Sequence, residues 1–309
     1  MIPLAEKDIT TKTLESHNQV FADIVNGLLF GGEAVLNADD LTPADKDSHY
    51  KTDGKIRSQE RDVSKFWHNA NIKIAFIGIE NQVVPDELMP VRILSYDGAV
   101  YRNQYRQKKK SKNKKCCPVI TLVIYFGKED WKYGKNLLSC LEIPPPLLPF
   151  VSDYKMNLYS IKDMTKDQIE NFQSDFRMIA EFFYAFNNGT DYYPTDQKLD
   201  YPEEVLDMIS VFTGDERFRE EYNSMPAETK EGGISMCEIY DKILREGEAR
   251  GEAIGEARGQ AIGEARGEAR GFLRALAELV KDGILTLSDA AKRADMTVDE
   301  FQNKTGLTV

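Results

Sequence analysis

The sequence has little of what membrane, secreted and nucleic-acid-coating proteins carry. No uninterrupted apolar run approaches the roughly 20 residues that a membrane helix needs, and the polar start lacks the apolar segment of a signal peptide. The net charge of −11 and the pI near 5.0 argue against a basic surface that would coat nucleic acid. We therefore expect a cytoplasmic protein with no membrane contact, in which any contact with nucleic acid is local.

Nitrogen and sulfur ligands for metals are also scarce. The chain has 4 cysteines, which show neither CxxC spacing nor a dense disulfide pattern, and 3 scattered histidines. We expect the cysteines to be reduced and structural. A histidine-based metal cage or a catalytic triad is hard to assemble from this set, so carboxylates are expected to carry any chemistry.

Helix and strand patterns alternate over the first 150 residues. Apolar residues recur at helical spacing in NQVFADIVNGLLFGG, and MPVRILSYDGAVYRNQYRQ predicts a second helix that starts near Pro90. KIRSQERDVSKFW and IKIAFIGIE predict strands, and PVITLVIYFG, residues 118–127, predicts the most buried strand of the chain. This order of elements predicts an α/β or α+β core.

The composition becomes helical after the proline-rich segment EIPPPLLPF. One helix is predicted from Thr165 to a stop at Gly189, and another from Pro202 to Gly214. We expect residues 1–150 to form the core and residues 151–246 to form a helical region that packs on it or follows it.

Glycine recurs at every fourth position from Gly247 to Gly271. A four-residue repeat drifts by roughly 40° per repeat around a helix, and each glycine inside a helix costs about 1 kcal/mol relative to alanine. Two interpretations of residues 247–271 stay open. They form a partly helical spacer, or they form an oligomerisation helix in which glycine lets two backbones approach and Glu and Arg pair between chains.

Residues 272–309 predict a small helical tail. A helix is followed by a turn at Asp282-Gly283 and two short helices, the first capped by Ser288 and the second by a capping box of Thr297 and Glu300. Helix-turn-helix DNA readers are built in this way, but so are many small helical ends, and this tail lacks an obvious basic face.

A carboxylate ends an apolar strand in IAFIGIENQ, residues 74–82. If this strand forms a hairpin with the preceding one, around a loop near 69–71, then Asp62 lies beside Glu80. Two carboxylates, with waters and the phosphate of a substrate, form a common shell for Mg²⁺. The alternative is that both are ordinary ion-paired carboxylates, Asp62 with Arg57 or Arg61 and Glu80 with a neighbouring lysine.

Several segments over about residues 15–140 resemble, in their order, the Rpn family of recombination-promoting nucleases, also labelled putative transposases, in the PD-(D/E)XK nuclease superfamily. They are FADIVNGLLFGG, RDV, IGIENQ, MPVRILSYDGAVYR and PVITLVIYFGKEDW. The resemblance implies a restriction-endonuclease-like core, with a mixed central sheet flanked by helices, and a helical C-terminal extension.

The resemblance also implies roles for individual residues. Asp62 and Glu80 would be catalytic and would hold Mg²⁺, with Mn²⁺ or Ca²⁺ as alternatives. Gln82 stands where the superfamily usually has lysine, so it would orient the attacking water without bringing positive charge. Asp23 matches the acid of the first helix and would help to hold the metal or its waters; the alternative is an ordinary helix carboxylate.

A block of lysines precedes the predicted strand at Pro118, and it is the only strong basic block of this acidic chain. These side chains would meet the DNA backbone close to the proposed site, or they form a solvated loop. Arg92 and Arg102, on the helix after the site, are further candidates for DNA contact. The block consists of Lys108, Lys109, Lys110, Lys112, Lys114 and Lys115.

The implied function is a Mg²⁺-dependent DNA endonuclease that hydrolyses phosphodiester bonds, in DNA recombination or in the activity of, or defence against, mobile elements. The alternative is a catalytically weak, self-assembling DNA-binding protein derived from a mobile element. A third reading is a decayed mobile-element protein, against which the intact acids argue.

Overall fold

The molecule consists of a mixed β-sheet between helices, followed by a long helix and a small helical end. The computed structural model describes residues 4–44, 48–52, 55–59, 62–69, 72–109 and 111–307. None of the helices within these ranges is both long enough and apolar enough to cross a lipid bilayer.

Five strands form the central sheet, in the order β1-β4-β5-β6-β7. β1, β4 and β5 pair antiparallel, while β5, β6 and β7 pair parallel, so the predicted mixed sheet is confirmed. β2 and β3 form a separate antiparallel pair. The strands are β1 (Leu41–Pro43), β2 (Ser48–Thr52), β3 (Lys55–Gln59), β4 (Val63–Asn69), β5 (Ile72–Gln82), β6 (Val119–Tyr125) and β7 (Asn157–Ser160).

Helices cover both faces of this sheet, which explains why β6 is a nearly continuous apolar run. α2 and α5 pack on the face that carries Ile77 and Leu122, whereas α3 packs on the face that carries Phe76 and Val123. The helices that precede the long one are α1 (Leu4–Ser16), α2 (Asn18–Phe30), α3 (Met89–Lys108), α4 (Lys166–Glu170), α5 (Phe176–Asn188), α6 (Pro202–Thr213), α7 (Arg217–Ser224) and α8 (Ala227–Glu231).

The helix that was predicted from Thr165 to Gly189 is two helices, so that prediction was wrong. α4 and α5 are separated by residues 171–175, because a carboxylate from α2 binds backbone N–H groups of this region. Asp23 accepts hydrogen bonds from the N–H groups of Gln173 and Ser174. Such local bonds compete with the helical pattern. The helix predicted from Pro202 to Gly214 is confirmed as α6.

The sheet continues past residue 150, where the sequence placed the end of the core. β7 is its last strand, and α5 and α6 share the apolar cluster of β5 and β6. The chain divides into two compact units, Met1–Ile243 and Leu244–Val309.

The glycine repeat is helical throughout. It lies within α9 (Met236–Lys281), a continuous helix of 46 residues, and every residue from Gly247 to Gly271 is exposed. The predicted separate tail helix before Asp282 is the last part of α9.

Two short helices complete the second unit, α10 (Leu287–Arg293) and α11 (Val298–Thr305). Together with the end of α9 they enclose a small core that includes Leu276, Ala290 and Phe301. The capping box of Thr297 and Glu300 is confirmed. The predicted cap at Ser288 is wrong, since the Thr286 hydroxyl accepts the N–H of Asp289 and Ser288 is already inside α10.

Candidate active site

The predicted hairpin brings Asp62 and Glu80 to the same end of the sheet. β4 and β5 pair Ser64 with Gly78 and Val63 with Ile79, and Asp62 and Glu80 are the next residues of the two segments. Only 7% of Asp62 and 4% of Glu80 are exposed. Two buried acids therefore lie at the end of β5.

Asp62 is held from the side of α1. Its Oδ2 accepts a hydrogen bond from the backbone N–H of Asn81 at 2.6 Å, and its Oδ1 lies 3.2 Å from the ammonium of Lys12. The first contact ties Asp62 to the partner strand, and the second balances its charge.

Glu80 is held by α3. The Nη2 of Arg92 lies 2.5 Å from the Oε1 of Glu80, and Nη1 of the same guanidinium lies 3.4 Å from Asp86. Burial acts to lower the pKa of Arg92, but the charges of Glu80, Tyr96 and Asp86 and the hydrogen bond to Glu80 together outweigh it, so the pKa of Arg92 is raised above its usual value. Both acids are thus ion-paired, as the ordinary-carboxylate alternative predicted, though with partners that it did not name.

A third acid adjoins the pair, and the sequence analysis missed it. Glu15 on α1 is almost fully buried, and its Oε2 accepts a hydrogen bond from the Nδ2 of Asn81 at 2.8 Å. α1 has little apolar periodicity and lies far from the IENQ segment in the sequence, so no local pattern pointed to Glu15 or Lys12.

Gln82 follows Glu80 on the same face of β5. Its Nε2 donates to the carbonyl of Asn81, which precedes it, at 2.7 Å. The side chain is neutral and is turned towards its own backbone. The position at which the superfamily usually has lysine therefore brings no positive charge in this structure.

Asp23 lies elsewhere. Its carboxylate accepts hydrogen bonds from the N–H of Gln173 and from both the N–H and the hydroxyl of Ser174, at 2.7–3.0 Å. These contacts bring Asp23 to the turn before α5, and the structure does not bring it to Asp62 or Glu80. The contacts match the ordinary structural reading of this residue.

A buried lysine lies on β4 and faces the junction of α1 and α2. Lys65 is 3% exposed, and its ammonium donates to the carbonyl of Ser16 at 2.5 Å and to the side-chain oxygen of Asn18. Burial lowers the pKa of Lys65 to about 8. Its charge therefore changes close to neutral pH.

The residues of the site fit a hard divalent cation in their donor chemistry. Asp62 and Glu80 offer carboxylate oxygens, and the side-chain oxygen of Asn81 is buried with no hydrogen-bond partner among the described residues. Mg²⁺ usually takes one or two carboxylates and completes its shell with water and phosphate oxygens. In the described ranges, however, no three or more His, Cys, Asp or Glu side chains lie close enough together to hold a metal by themselves.

The lysine block lies at the other end of the sheet, so the prediction that it is close to the acids was wrong. β5 and β6 run parallel, and the block precedes β6, at the end where β5 begins. About 20 Å of strand separates Ile74 from Glu80, at roughly 3.3 Å per residue. Lys108 and Lys115 help to line a cavity of about 600 Å³ that also includes Lys73 and Ile74.

Individual lysines of the block have different surroundings. Lys114 donates to the carbonyls of Lys108 and Lys109 at 3.2 and 2.7 Å, so it closes the C-terminal end of α3. Lys112 and Lys115 are exposed, and Lys110 lies outside the described residues. The DNA-binding role of the block stays a prediction.

Comparison with known protein families gives a match. Residues 40–191 match a family model described as "putative transposase, YhgA-like". The matched range contains β4, β5, α3, β6 and β7, and with them Asp62, Glu80 and Arg92. No curated protein and no solved structure matches the chain.

Proposed function

We propose that this chain, which over residues 40–191 belongs to the YhgA-like transposase family in the PD-(D/E)XK, Rpn-like group, is a metal-dependent DNA endonuclease. It would hydrolyse phosphodiester bonds in DNA recombination or in processes that involve mobile elements. The observation that carries the proposal is the pair Asp62 and Glu80, two buried acids at the end of the β4–β5 hairpin.

The placement of these acids suits phosphodiester chemistry. Asp62 and Glu80 would hold Mg²⁺ through carboxylate oxygens, with waters and phosphate oxygens completing its shell. Mg²⁺ bound there would supply an activated water and stabilise negative charge on the phosphate. Gln82 would orient that water by hydrogen bonding, after its amide leaves the carbonyl of Asn81.

The ion pairs with Lys12 and Arg92 keep both acids in place without a metal, and a metal that took the same carboxylate oxygens would displace these cations. Mn²⁺ would substitute for Mg²⁺ because it accepts the same oxygen ligands. Ca²⁺ would bind, but its coordination geometry is more flexible than that of Mg²⁺. It therefore suits experiments that measure DNA binding better than experiments that measure cleavage.

Plasmid cleavage by the purified protein tests the proposal. We expect nicking with Mg²⁺ or Mn²⁺ and none with EDTA, and we expect Asp62→Asn and Glu80→Gln each to abolish it. Both substitutions keep the shape of the side chain and remove only its charge. Full activity of either variant, with circular dichroism like that of the wild type, would exclude this site as the source of cleavage.

A second candidate function is a catalytically weak DNA-binding protein that assembles through α9. Two observations favour it: both acids are engaged by cations, and the repeat is a fully exposed helix. The exposed glycines at 251, 255, 259, 263, 267 and 271 have no other atoms within 4 Å of an added Cβ, so they leave room for a partner.

Sedimentation distinguishes the two interpretations of the repeat. If two copies pack through it, Gly255→Leu with Gly259→Leu lowers the mass in solution, because the larger side chains keep the backbones apart. If residues 247–271 are a spacer, the mass is unchanged. Gly283→Ala is not a suitable control, because Gly283 has a φ of 71°; Gln260→Ala, on the same helix, serves instead.

A further inference from the structure

The end of β5 that carries Glu80 has no positively charged residue of its own. Gln82 is neutral, and its amide bonds to the preceding carbonyl. A phosphate in hydrolysis gains negative charge, which cationic side chains commonly stabilise. The charge must then come from the two cations that pair with the acids, Lys12 on α1 and Arg92 on α3.

Arg92 is the better placed of the two. Its guanidinium is shared between Glu80 and Asp86, at 2.5 and 3.4 Å. Its Nε is buried and has no hydrogen-bond partner within the described part of the chain. The side chain therefore retains an unused donor while two carboxylates hold its other nitrogens.

The carboxylate of Asp86 allows Arg92 to stay at the site when Glu80 binds another cation. Asp86 is about one third exposed and lies on the segment between β5 and α3, so it holds Nη1 independently of Glu80. Release from Glu80 would make Nη2 available beside Nε. Two parallel N–H groups of one guanidinium match two oxygens of a phosphate.

We propose that Arg92 is the phosphate-contacting residue of this site, and that it stays ion-paired with Glu80 until another cation neutralises Glu80. The inference rests on the proposed function. In the metal-free protein Arg92 neutralises Glu80. When a divalent cation engages Glu80, the guanidinium transfers to a phosphate of the bound DNA and remains anchored by Asp86.

Lys12 on α1 offers a contrast. Its ammonium lies 3.2 Å from Asp62, and 30% of its side chain is exposed. An ammonium is a point charge without the fork that a phosphate can engage at two oxygens. The structure therefore assigns the phosphate contact to Arg92, and the pair Lys12 and Asp62 provides a matched control.

DNA binding in EDTA tests the inference without relying on cleavage. Glu80→Gln removes the charge that holds Arg92, so we expect it to bind a short fluorescent DNA duplex more tightly than the wild type does. Loss of a negative charge would strengthen binding by itself. Asp62→Asn removes an equal charge from the segment before β4 and leaves the ion pair of Glu80 and Arg92 intact. It is therefore the control for the loss of one negative charge.

The decisive comparison is Arg92→Gln in these two backgrounds. Beside Glu80→Gln, where the guanidinium is released, we expect Arg92→Gln to weaken binding about tenfold, the effect of one charge-assisted contact. Beside Asp62→Asn, where Glu80 still holds Arg92, we expect less than about a twofold effect. Lys12→Gln is expected to show no such dependence on Asp62→Asn or Glu80→Gln.

Two outcomes would overturn the inference. If Arg92→Gln weakens DNA binding equally in both backgrounds, the ion pair with Glu80 does not keep Arg92 from the phosphate. If it weakens DNA binding in neither, Arg92 does not contact phosphate. Arg92→Lys, which keeps the charge beside Glu80, covers the case in which Arg92→Gln fails to fold beside Asp62→Asn. It is expected to bind more weakly than arginine only in the Glu80→Gln background.

The failure of the inference can be told apart from failure of the proposed function. If the wild type nicks plasmid with Mg²⁺ and Asp62→Asn does not, the endonuclease function stands whatever the binding experiments give. If neither cleavage nor DNA binding is seen with any variant, both fail.

Discussion

Asp62 and Asn81 are joined across two neighbouring strands by a hydrogen bond of 2.6 Å, from the backbone N–H of Asn81 to the carboxylate of Asp62. Asp62 lies just before β4, and Asn81 is the residue after Glu80 on β5. The bond therefore fixes the position of one proposed ligand relative to the strand that carries the other. It gives Asp62 a structural role that can be separated from its proposed chemical one.

Replacing Asp62 separates these roles. Asp62→Ala leaves the N–H of Asn81 without its acceptor, and we expect the free energy of unfolding to fall by about 1–3 kcal/mol. Asp62→Asn keeps an acceptor oxygen, so its destabilisation should be smaller, while cleavage is abolished in both. Urea denaturation followed by circular dichroism measures the difference. Equal stability of the alanine and asparagine variants would contradict the structural role.

Asp23 is expected to affect stability and not chemistry. Asp23→Ala removes the acceptor that holds Gln173 and Ser174 before α5, and we expect the free energy of unfolding to fall by about 1–2 kcal/mol, as for a helix cap. Asp23→Asn retains one oxygen and should be destabilised less. Cleavage per folded molecule should be unchanged in both variants. A folded Asp23→Asn protein that no longer cleaves DNA would instead support a role in metal binding.

Lys65 predicts a specific dependence of stability on pH. Burial lowers its pKa to about 8 from an ordinary value of 10.5, so between these values the folded protein has released a proton that the unfolded chain keeps. The free energy of unfolding should therefore rise with pH in this window, by at most about 1.4 kcal/mol per pH unit. Below pH 8 both states are protonated, and the cost of burying the charge is present in full.

Chemical denaturation at several pH values, compared with Lys65→Met, measures this contribution. The stability of the wild type relative to the variant should increase as the pH rises from 7 to 10. Lys73→Met, at an exposed lysine on β5, provides the control and should leave the wild-type slope unchanged. An identical pH dependence for the wild type and Lys65→Met would show that Lys65 is not titrating in this range.

The lysine block should affect DNA affinity and not the chemical step. Lys112→Gln with Lys115→Gln is expected to weaken binding and to reduce the slope of log affinity against log salt by about 0.9 for each phosphate that is no longer neutralised. The cleavage rate of bound DNA should not change, because the block lies about 20 Å of strand from the acids. Lys166→Gln with Lys304→Gln removes the same charge elsewhere. A similar effect of this control pair would indicate a general charge effect.

The sequence predicted the central elements well because each has a strong local signal. Apolar spacing predicted α2, Pro90 in a first-turn position predicted α3, the uninterrupted run before Gly127 predicted β6, and the turn-forming residues near 69–71 predicted the hairpin of β4 and β5. The mixed sheet between helices and the family followed from the same segments, and both are confirmed.

The sequence could not predict contacts made between distant segments. Asp23 breaks the helical pattern near residue 173 from a position far earlier in the chain, and Glu15 reaches Asn81 from α1. The position of the lysine block was missed for a related reason. A parallel pair of strands places the start of β6 beside the start of β5, and nothing in the lysine-rich segment itself shows the direction of that pairing.

The two edges of the central sheet are its shortest strands. β1 has 3 residues and ends in Pro43, and β7 has 4, whereas the apolar β5 and β6 lie inside. Exposed, long apolar strands are templates for aggregation, and short edges that contain proline resist it. β7 thus shields one of the most aggregation-prone runs of the chain, VITLVIY. A chain cut before Asn157 would leave the backbone of β6 open to pairing with other molecules.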